Sequence, residues 1–399
     1  MKILQTCNKP PFPTVDGGSI AMNNITHLLL KNNFNVKVFS LETYKHKVSE
    51  NISDIYLEQV KFESCFIDTK PSFLGVIANL FTKKSYNISR FYDKKAEQKL
   101  TSIVKNENFD IIIFDSLFST PYLTSIKNNC KSKLIYRAHN IEHKIWELKS
   151  KNENSLLKKY YFSFLAKRLK LYEKQIINCF DAIFSISNYD TKDFLELGCN
   201  KPIYNLPTGI EIKENISPEN NNNYSLCYIG AFDWEPNKEG VLWFLNNCWD
   251  NLINKYPDLK FYIAGRQSNE IFKNIKLKNN VIIVGEVENA DEFLISNGIF
   301  IVPLLTGSGI RIKIIEGLAL GKTIITTSVG AMGINYTNNI DILIADNTTD
   351  FENAIIKCIE NKDFCLSVGE KAKELACNQF DNNLLNKQIA NYLNEIINE

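Results

Sequence analysis

Short apolar runs alternate with apolar positions at helical spacing along the whole chain. In the first half, Lys2–Gln5, Val36–Ser40, Ile111–Phe114, Leu134–Arg137 and Ala182–Ile186 predict strands. In the second half, strands are predicted at Leu226–Ile229, Phe261–Ala264, Val281–Val284, Ile299–Val302, Ile324–Thr327 and Ile340–Ile344. Between the first two strands, Ala21, Ile25, Leu28 and Leu29 share one face of a helix. Such alternation predicts parallel sheets with helices on both faces. The polar run Glu214–Asn223, with Pro218 and four consecutive asparagines, separates two such series. The expected domains are therefore 1–213 and 224–378, followed by a terminal helix over 379–399. In that helix Leu385, Ile389, Leu393 and Ile396 form a stripe suited to packing back on the first domain. Two doubly wound domains leave a cleft at the carboxyl ends of their strands, where ligands bind in such folds.

One stretch, Pro303–Lys322, carries the most chemistry. The apolar run Ile299–Val302 stops at Pro303, a glycine-containing loop follows, and Ile310, Ile314, Ile315 and Leu318 then recur at helical spacing until Gly321. A strand, a glycine loop and a helix start in succession leave backbone N–H groups free at the positive end of the helix dipole, which is an anion site. Arg311 and Lys313 add two cations, and Glu316 lies one turn further on. The pattern predicts a diphosphate cradle with a carboxylate for a ribose or sugar hydroxyl. The competing reading is a tight turn at Gly307 and Gly309, with Lys313 and Glu316 as an i,i+3 pair on a solvated face.

At 399 residues the chain exceeds one ordinary core, which supports two domains. Lys+Arg 46 against Asp+Glu 45 leaves a net charge of +1, which argues against nucleic acid as a partner. Ten cysteines stand without a C-x-x-C, the usage of reduced thiols in a cytoplasmic protein. No apolar stretch approaches the ~18 residues of a membrane span, and the start of the chain lacks a signal-peptide pattern. Neither half shows G-x-G-x-x-G after its first strand, and G-x-x-x-x-G-K-[ST] is absent, so dinucleotide and P-loop readings fail.

Several segments come in the order of a known family. They are Gly17-Gly18 in the loop after the first strand, Arg137–Glu142, Ala182–Ser187 and Leu206–Glu211. In the second half they are Tyr228–Ala231 with Glu235–Asn237, Tyr262–Arg266, Val284–Glu286 and Gly307–Glu316. In these marks the chain resembles the retaining GT-B glycosyltransferases of family 4, glycosyl transferases group 1, over nearly its whole length. The resemblance implies two Rossmann-like doubly wound domains facing across a cleft, with the C-terminal helix returning to the first. It implies a hexosyltransferase-type enzyme moving a sugar from a nucleotide-diphosphate sugar to a hydroxyl of a growing, lipid-linked glycan, with retention, in cell-surface polysaccharide synthesis.

No cofactor or metal is expected. Arg311, Lys313 and His139 would be catalytic; Glu316, Gly307, Ser308, Gly309, Ile310 and Arg266 would bind the donor; Gly17 and Gly18 would form the acceptor or phosphate loop. Two departures from the family pattern stand out. Ser308 occupies the place of a glutamate eight residues before Glu316, and Ala231 that of an arginine, with Lys238 no clear substitute for its usual lysine partner.

Two rival readings remain. His139–His143 spells H-x-x-E-H, a zinc-peptidase pattern that needs both histidines on one helix face. The serine at 308 also fits a degenerate chain that binds nucleotide sugar without catalysis. Finally, Phe73, Leu74, Val76, Ile77, Leu80 and Phe81 precede Lys83 and Lys84, and Leu157, Tyr161, Phe164, Leu165 and Tyr172 lie among lysines. Core packing explains such stripes, but so does an anionic membrane surface touched by a peripheral cytoplasmic enzyme.

Overall fold

Two all-parallel sheets organise the chain. The structure, a computed structural model, describes all residues except 49–53, 73, 74, 76–78, 80, 81, 83, 214–224, 308 and 399. The first sheet contains β1 (Lys2–Cys7), β2 (Asn35–Glu42), β3 (Glu63–Phe66), β4 (Ile111–Asp115), β5 (Lys133–Arg137), β6 (Ala182–Ser185) and β7 (Ile203–Asn205). Its order is β3-β2-β1-β4-β5-β6-β7. The second contains β8 (Ser225–Ile229), β9 (Lys260–Ala264), β10 (Val281–Gly285), β11 (Ile299–Val302), β12 (Ile324–Thr326) and β13 (Leu343–Ile344). Its order is β10-β9-β8-β11-β12-β13. Both are doubly wound Rossmann-like sheets, the fold class expected from the sequence. In each, strand order reverses beside the first strand, between β1 and β4 and between β8 and β11.

Continuous apolar runs suit strands covered on both faces. In the first sheet, Leu4, Ile112 and Phe114 enter one core, while Ile3, Ile111 and Ile113 enter the other. In the second, Leu226, Tyr228, Ile299 and Ile301 face one way, and Cys227, Phe300 and Val302 the other. The period of two along each strand produces this division. Every expected strand has a counterpart, although β13 is only the last two residues of the expected 340–344. Two strands went unread, β3 and β7. They are short edge strands whose residues are half-buried or exposed, so they carry no apolar run.

Met1–Gly209 with Leu385–Glu399 forms one unit and Ile210–Leu384 the other. Residues 210–213 therefore go with the second unit: Ile210 N donates to Phe380 O at 2.7 Å, and Asn382 N donates to Ile210 O at 3.0 Å. The expected linker, 214–223, lies outside the described residues. In the terminal helix Asn382–Asn398, Leu385, Ile389, Leu393 and Ile396 are buried in the first unit's core with Ile25 and Leu29. Each such side chain contributes about 1.5–3 kcal/mol as an upper bound.

Candidate functional site

In the second unit the strand-order reversal falls between β8 and β11, and the loops leaving these two strands bring the cations together. This is where ligands bind in open parallel sheets. The helix after β11 runs Ile312–Ala319, with Arg311 at its N-cap position and Gly321 closing it at φ 68°. It starts two residues later than the spacing suggested. Ile314, Ile315 and Leu318 anchor it in the core, which fixes where Arg311 and Lys313 stand.

Lys313 turns inward. Its Nζ donates to Tyr228 Oη at 2.8 Å, Asn237 Oδ1 at 2.9 Å and Ile229 O at 3.1 Å. All three acceptors are neutral. Burial, and then the charge of Arg311, lower its pKa to about 7. Arg311 is 6% exposed, donates from Nη1 to Gly309 O at 2.9 Å and holds its guanidinium 5.4 Å from the Trp234 ring centre. Burial lowers its pKa to about 10. A buried arginine that lowers the pKa of a half-buried lysine beside it makes a strong site for an anion.

Two glycines make room for this geometry. A Cβ on Gly230, the residue after β8, would stand 2.6 Å from Lys313 Nζ and 2.9 Å from Asn237 Nδ2. Gly307, at φ 128°, adopts a backbone that L side chains rarely reach, and its Cβ would stand 2.5 Å from Arg311 Nη2. Gly309 also has positive φ, 76°. Ser308 lies outside the described residues, and Ile310 is half-buried beside Arg311.

Glu316 does not pair with Lys313, so the i,i+3 surface pair does not form. Instead it lines a cavity of about 230 Å³ with Ile210, Glu211, Lys213, Asp291, Ala319 and Leu320. Burial, and then the Asp291 charge, raise its pKa. Arg266 lies just past β9, 42% exposed, and grips Asp233 with both carboxylate oxygens at 2.9–3.0 Å. Lys238 pairs with Glu235 at 3.3 Å and stays outside the cation cluster.

In the first unit, Gly17 and Gly18 open the Gly17–Lys31 helix rather than sitting in the loop before it. Asp16 caps this helix by accepting from Ser19 N, and Lys9 holds Asp16 at 2.6 Å. The helix therefore begins at the cap, ahead of the first apolar position on its stripe. His139 sits just beyond β5, its Nε2 2.5 Å from Asp115 Oδ1. His143 lies on the helix Glu142–Lys151, its Nδ1 2.6 Å from Glu173 Oε2. The two histidines of the zinc-like pattern are thus on different elements, each bound to a different carboxylate. Ser187 is a helix cap, accepting from Asp190 N at 3.1 Å. Thr208 is buried.

Sequence reasoning missed Tyr228, Trp234, Asn237, Asp115 and Glu173. The first and third lie within noted segments, but nothing in their spacing linked them to Lys313.

Residues 223–361 match the model of the family Glycosyl transferases group 1. An uncharacterized 44.6 kDa protein in a cps region of Klebsiella pneumoniae is 26% identical, with 90% of this chain and 91% of that protein aligned. Among solved structures, Anabaena HepE in complex with UDP-glucose superposes with a TM-score of 0.68 at 14% identity, covering 99% of this chain and 100% of that one. Sucrose-phosphate synthase from Thermosynechococcus elongatus does so with a TM-score of 0.72 at 12% identity, covering 99% of each. The solved structures show the GT-B fold, and the family match supports a glycosyltransferase.

Proposed function

We propose that this chain transfers a hexose from a nucleotide-diphosphate sugar to a hydroxyl of a growing, lipid-linked glycan, with retention at the anomeric carbon. The observation that carries the reading is the Arg311–Lys313 pair, a buried and a half-buried cation behind a glycine loop at the strand-order reversal. In the reaction the bond from the anomeric carbon to the diphosphate oxygen breaks, and a bond to the acceptor oxygen forms. The acceptor proton leaves with the nucleoside diphosphate. Negative charge grows on that leaving group, and fixed cations and loop N–H groups stabilise it without reorganising. Arg311, Lys313 and the amides of Gly307, Gly309 and Ile310 take this role in place of a divalent metal. Glu316 holds a ribose hydroxyl, and His139 contacts the transferred sugar. A relative in a cps region supports capsular polysaccharide as the product.

A thermal-shift panel of UDP and GDP sugars, with and without a chelator, tests the reading. A ligand at 100 times its Kd stabilises by about 2.7 kcal/mol. No shift with any sugar nucleotide overturns it, and loss of the shift on chelation overturns metal independence. Proton NMR of the product reads the anomeric configuration.

A further inference from the structure

The strand-order reversal of the first sheet holds a second buried polar cluster. Asp115, the last residue of β4, is fully buried. Its Oδ2 accepts from Gln5 Nε2 on β1 at 2.8 Å. Its Oδ1 accepts from Arg137 Nη1 on β5 at 3.0 Å and touches His139 Nε2 at 2.5 Å. Gln5 is itself fixed: its Oε1 accepts from Thr26 Oγ1 at 2.7 Å, and its Nε2 also donates to Met22 O at 3.0 Å. Three strands and a helix therefore lock one carboxylate in place.

This carboxylate decides the state of the histidine. Burial would raise the Asp115 pKa, but the charge of Arg137 and the hydrogen bonds from His139 and Arg137 hold it well below the carboxylate range. Asp115 is therefore ionised. A carboxylate oxygen 2.5 Å from a ring nitrogen needs a proton between them. Nε2 therefore carries the hydrogen, and its 3.1 Å approach to Arg137 Nη1 follows from both groups sharing Oδ1. Burial lowers the His139 pKa against the raising pull of Asp115, so the ring is neutral. Nδ1 is left with a lone pair and no hydrogen bond among the described residues.

We propose that Asp115 is the positioning residue that fixes His139 as its Nε2–H tautomer, so that Nδ1 accepts a hydrogen bond from a substrate hydroxyl. The logic is that of a carboxylate orienting an imidazole through one nitrogen so that the other meets substrate. The part played by the substrate rests on the transferase reading above, whereas the tautomer does not.

Nitrogen-15 NMR of the full wild-type chain near pH 7.5 reads the tautomer directly. Protonated Nε2 with unprotonated Nδ1 is expected; an Nδ1–H ring or an imidazolium overturns the proposal. Kinetics give a second arm. Asp115→Asn and His139→Gln should each lower kcat/KM by roughly 10–100-fold, the scale of one lost hydrogen bond to substrate and its consequences. UDP binding, measured by calorimetry, should stay within about twofold, since the cation cluster supplies it. Asp115→Asn made in the His139→Gln background should cost nothing further, because it acts through a ring no longer there. Equal costs in both backgrounds would mean a structural role only. If donor hydrolysis without acceptor falls in parallel, the hydroxyl belongs to the donor sugar. If transfer alone falls, it belongs to the acceptor. If neither falls, the substrate contact is refuted. Should Asp115→Asn not fold with Arg137 unbalanced, the wild-type spectrum still decides. Should no donor support transfer, the transferase reading fails while the tautomer remains measurable.

Discussion

The ammonium of Lys313 lies 4.3 Å from the centre of the Tyr228 ring and donates to that ring's hydroxyl at 2.8 Å. Burial keeps the phenol far above its ordinary pKa, so the hydroxyl is a neutral acceptor. Lys313 is thus solvated by dipoles and an aromatic face, and among the described residues no carboxylate hydrogen-bonds it; Glu316 acts on it only at longer range.

A proton linkage follows. The folded pKa is about 7 and the ordinary value 10.5. Between these values the unfolded chain holds a proton that the folded chain lacks, so this group makes stability rise as pH climbs through the window. Below about pH 7 the penalty of charging the desolvated amine is fully present. A diphosphate bound beside it, as proposed, would restore the charge. UDP binding at pH 8 should therefore take up close to one proton, read by calorimetry in buffers of different ionisation enthalpy. Binding without proton uptake would separate Lys313 from the anion.

Arg311→Ala should lower kcat by about 10²–10³, or roughly 2–4 kcal/mol of transition-state stabilisation, by analogy with removal of one oxyanion donor. Steady-state rates at saturating donor measure this. An effect below about threefold would take Arg311 out of the leaving-group site.

Glu316→Gln should raise the donor KM and leave kcat nearly unchanged, because a ribose contact exists in ground and transition states alike. Its cavity with Lys213 and Asp291 makes the contrast informative: a purely structural Glu316 would change the melting temperature and spare the KM.

Most of the fold was legible because buried parallel strands are continuous apolar runs, as in Ile111–Phe114 and Ile299–Val302. The edge strands β3 and β7 were not, since their half-exposed residues follow no apolar pattern. At the site, Arg311 and Lys313 could be named because a loop and helix start are local signals. Their partners could not. Tyr228 and Asn237 lie 85 and 76 residues away from Lys313, and only the sheet order brings them to it. Asp115 reaches His139 across 24 residues in the same way.

Gly230→Ala tests whether that convergence matters. The new Cβ would meet Lys313 Nζ at 2.6 Å and Asn237 Nδ2 at 2.9 Å, both far ends of side chains that can shift. The lysine can move aside, so the melting temperature should change by only a few degrees, on the scale of about 1 kcal/mol. UDP affinity should fall by about tenfold or more, because the displaced amine no longer faces the anion. Unchanged affinity would show that the close approach of Lys313 to the β8 exit is packing alone.

The remaining prediction concerns the helix Leu156–Ile176. The apolar stripe expected on it divides: Leu165 is buried and Tyr172 meets Thr120 at 2.8 Å, both serving the core. Its first turns do the reverse. Leu156, Leu157 and Tyr160 are 71%, 84% and 76% exposed, and Lys158 and Lys159 beside them are exposed too. The second expected stripe, Phe73, Leu74, Val76, Ile77, Leu80 and Phe81 with Lys83, lies outside the described residues. Among the described residues, no helix is long and apolar enough to cross a membrane. An exposed Leu-Leu-Lys-Lys-Tyr turn instead fits the boundary of an anionic bilayer, each lysine contributing about 1 kcal/mol near the surface. The chain should co-sediment with anionic vesicles and release as salt rises. Reversing Lys83, Lys84, Lys158 and Lys159 together should abolish recovery, and Leu156→Ser with Leu157→Ser should weaken it even at low salt. Equal recovery on neutral and anionic vesicles, or none on either, would leave these side chains without a bilayer role.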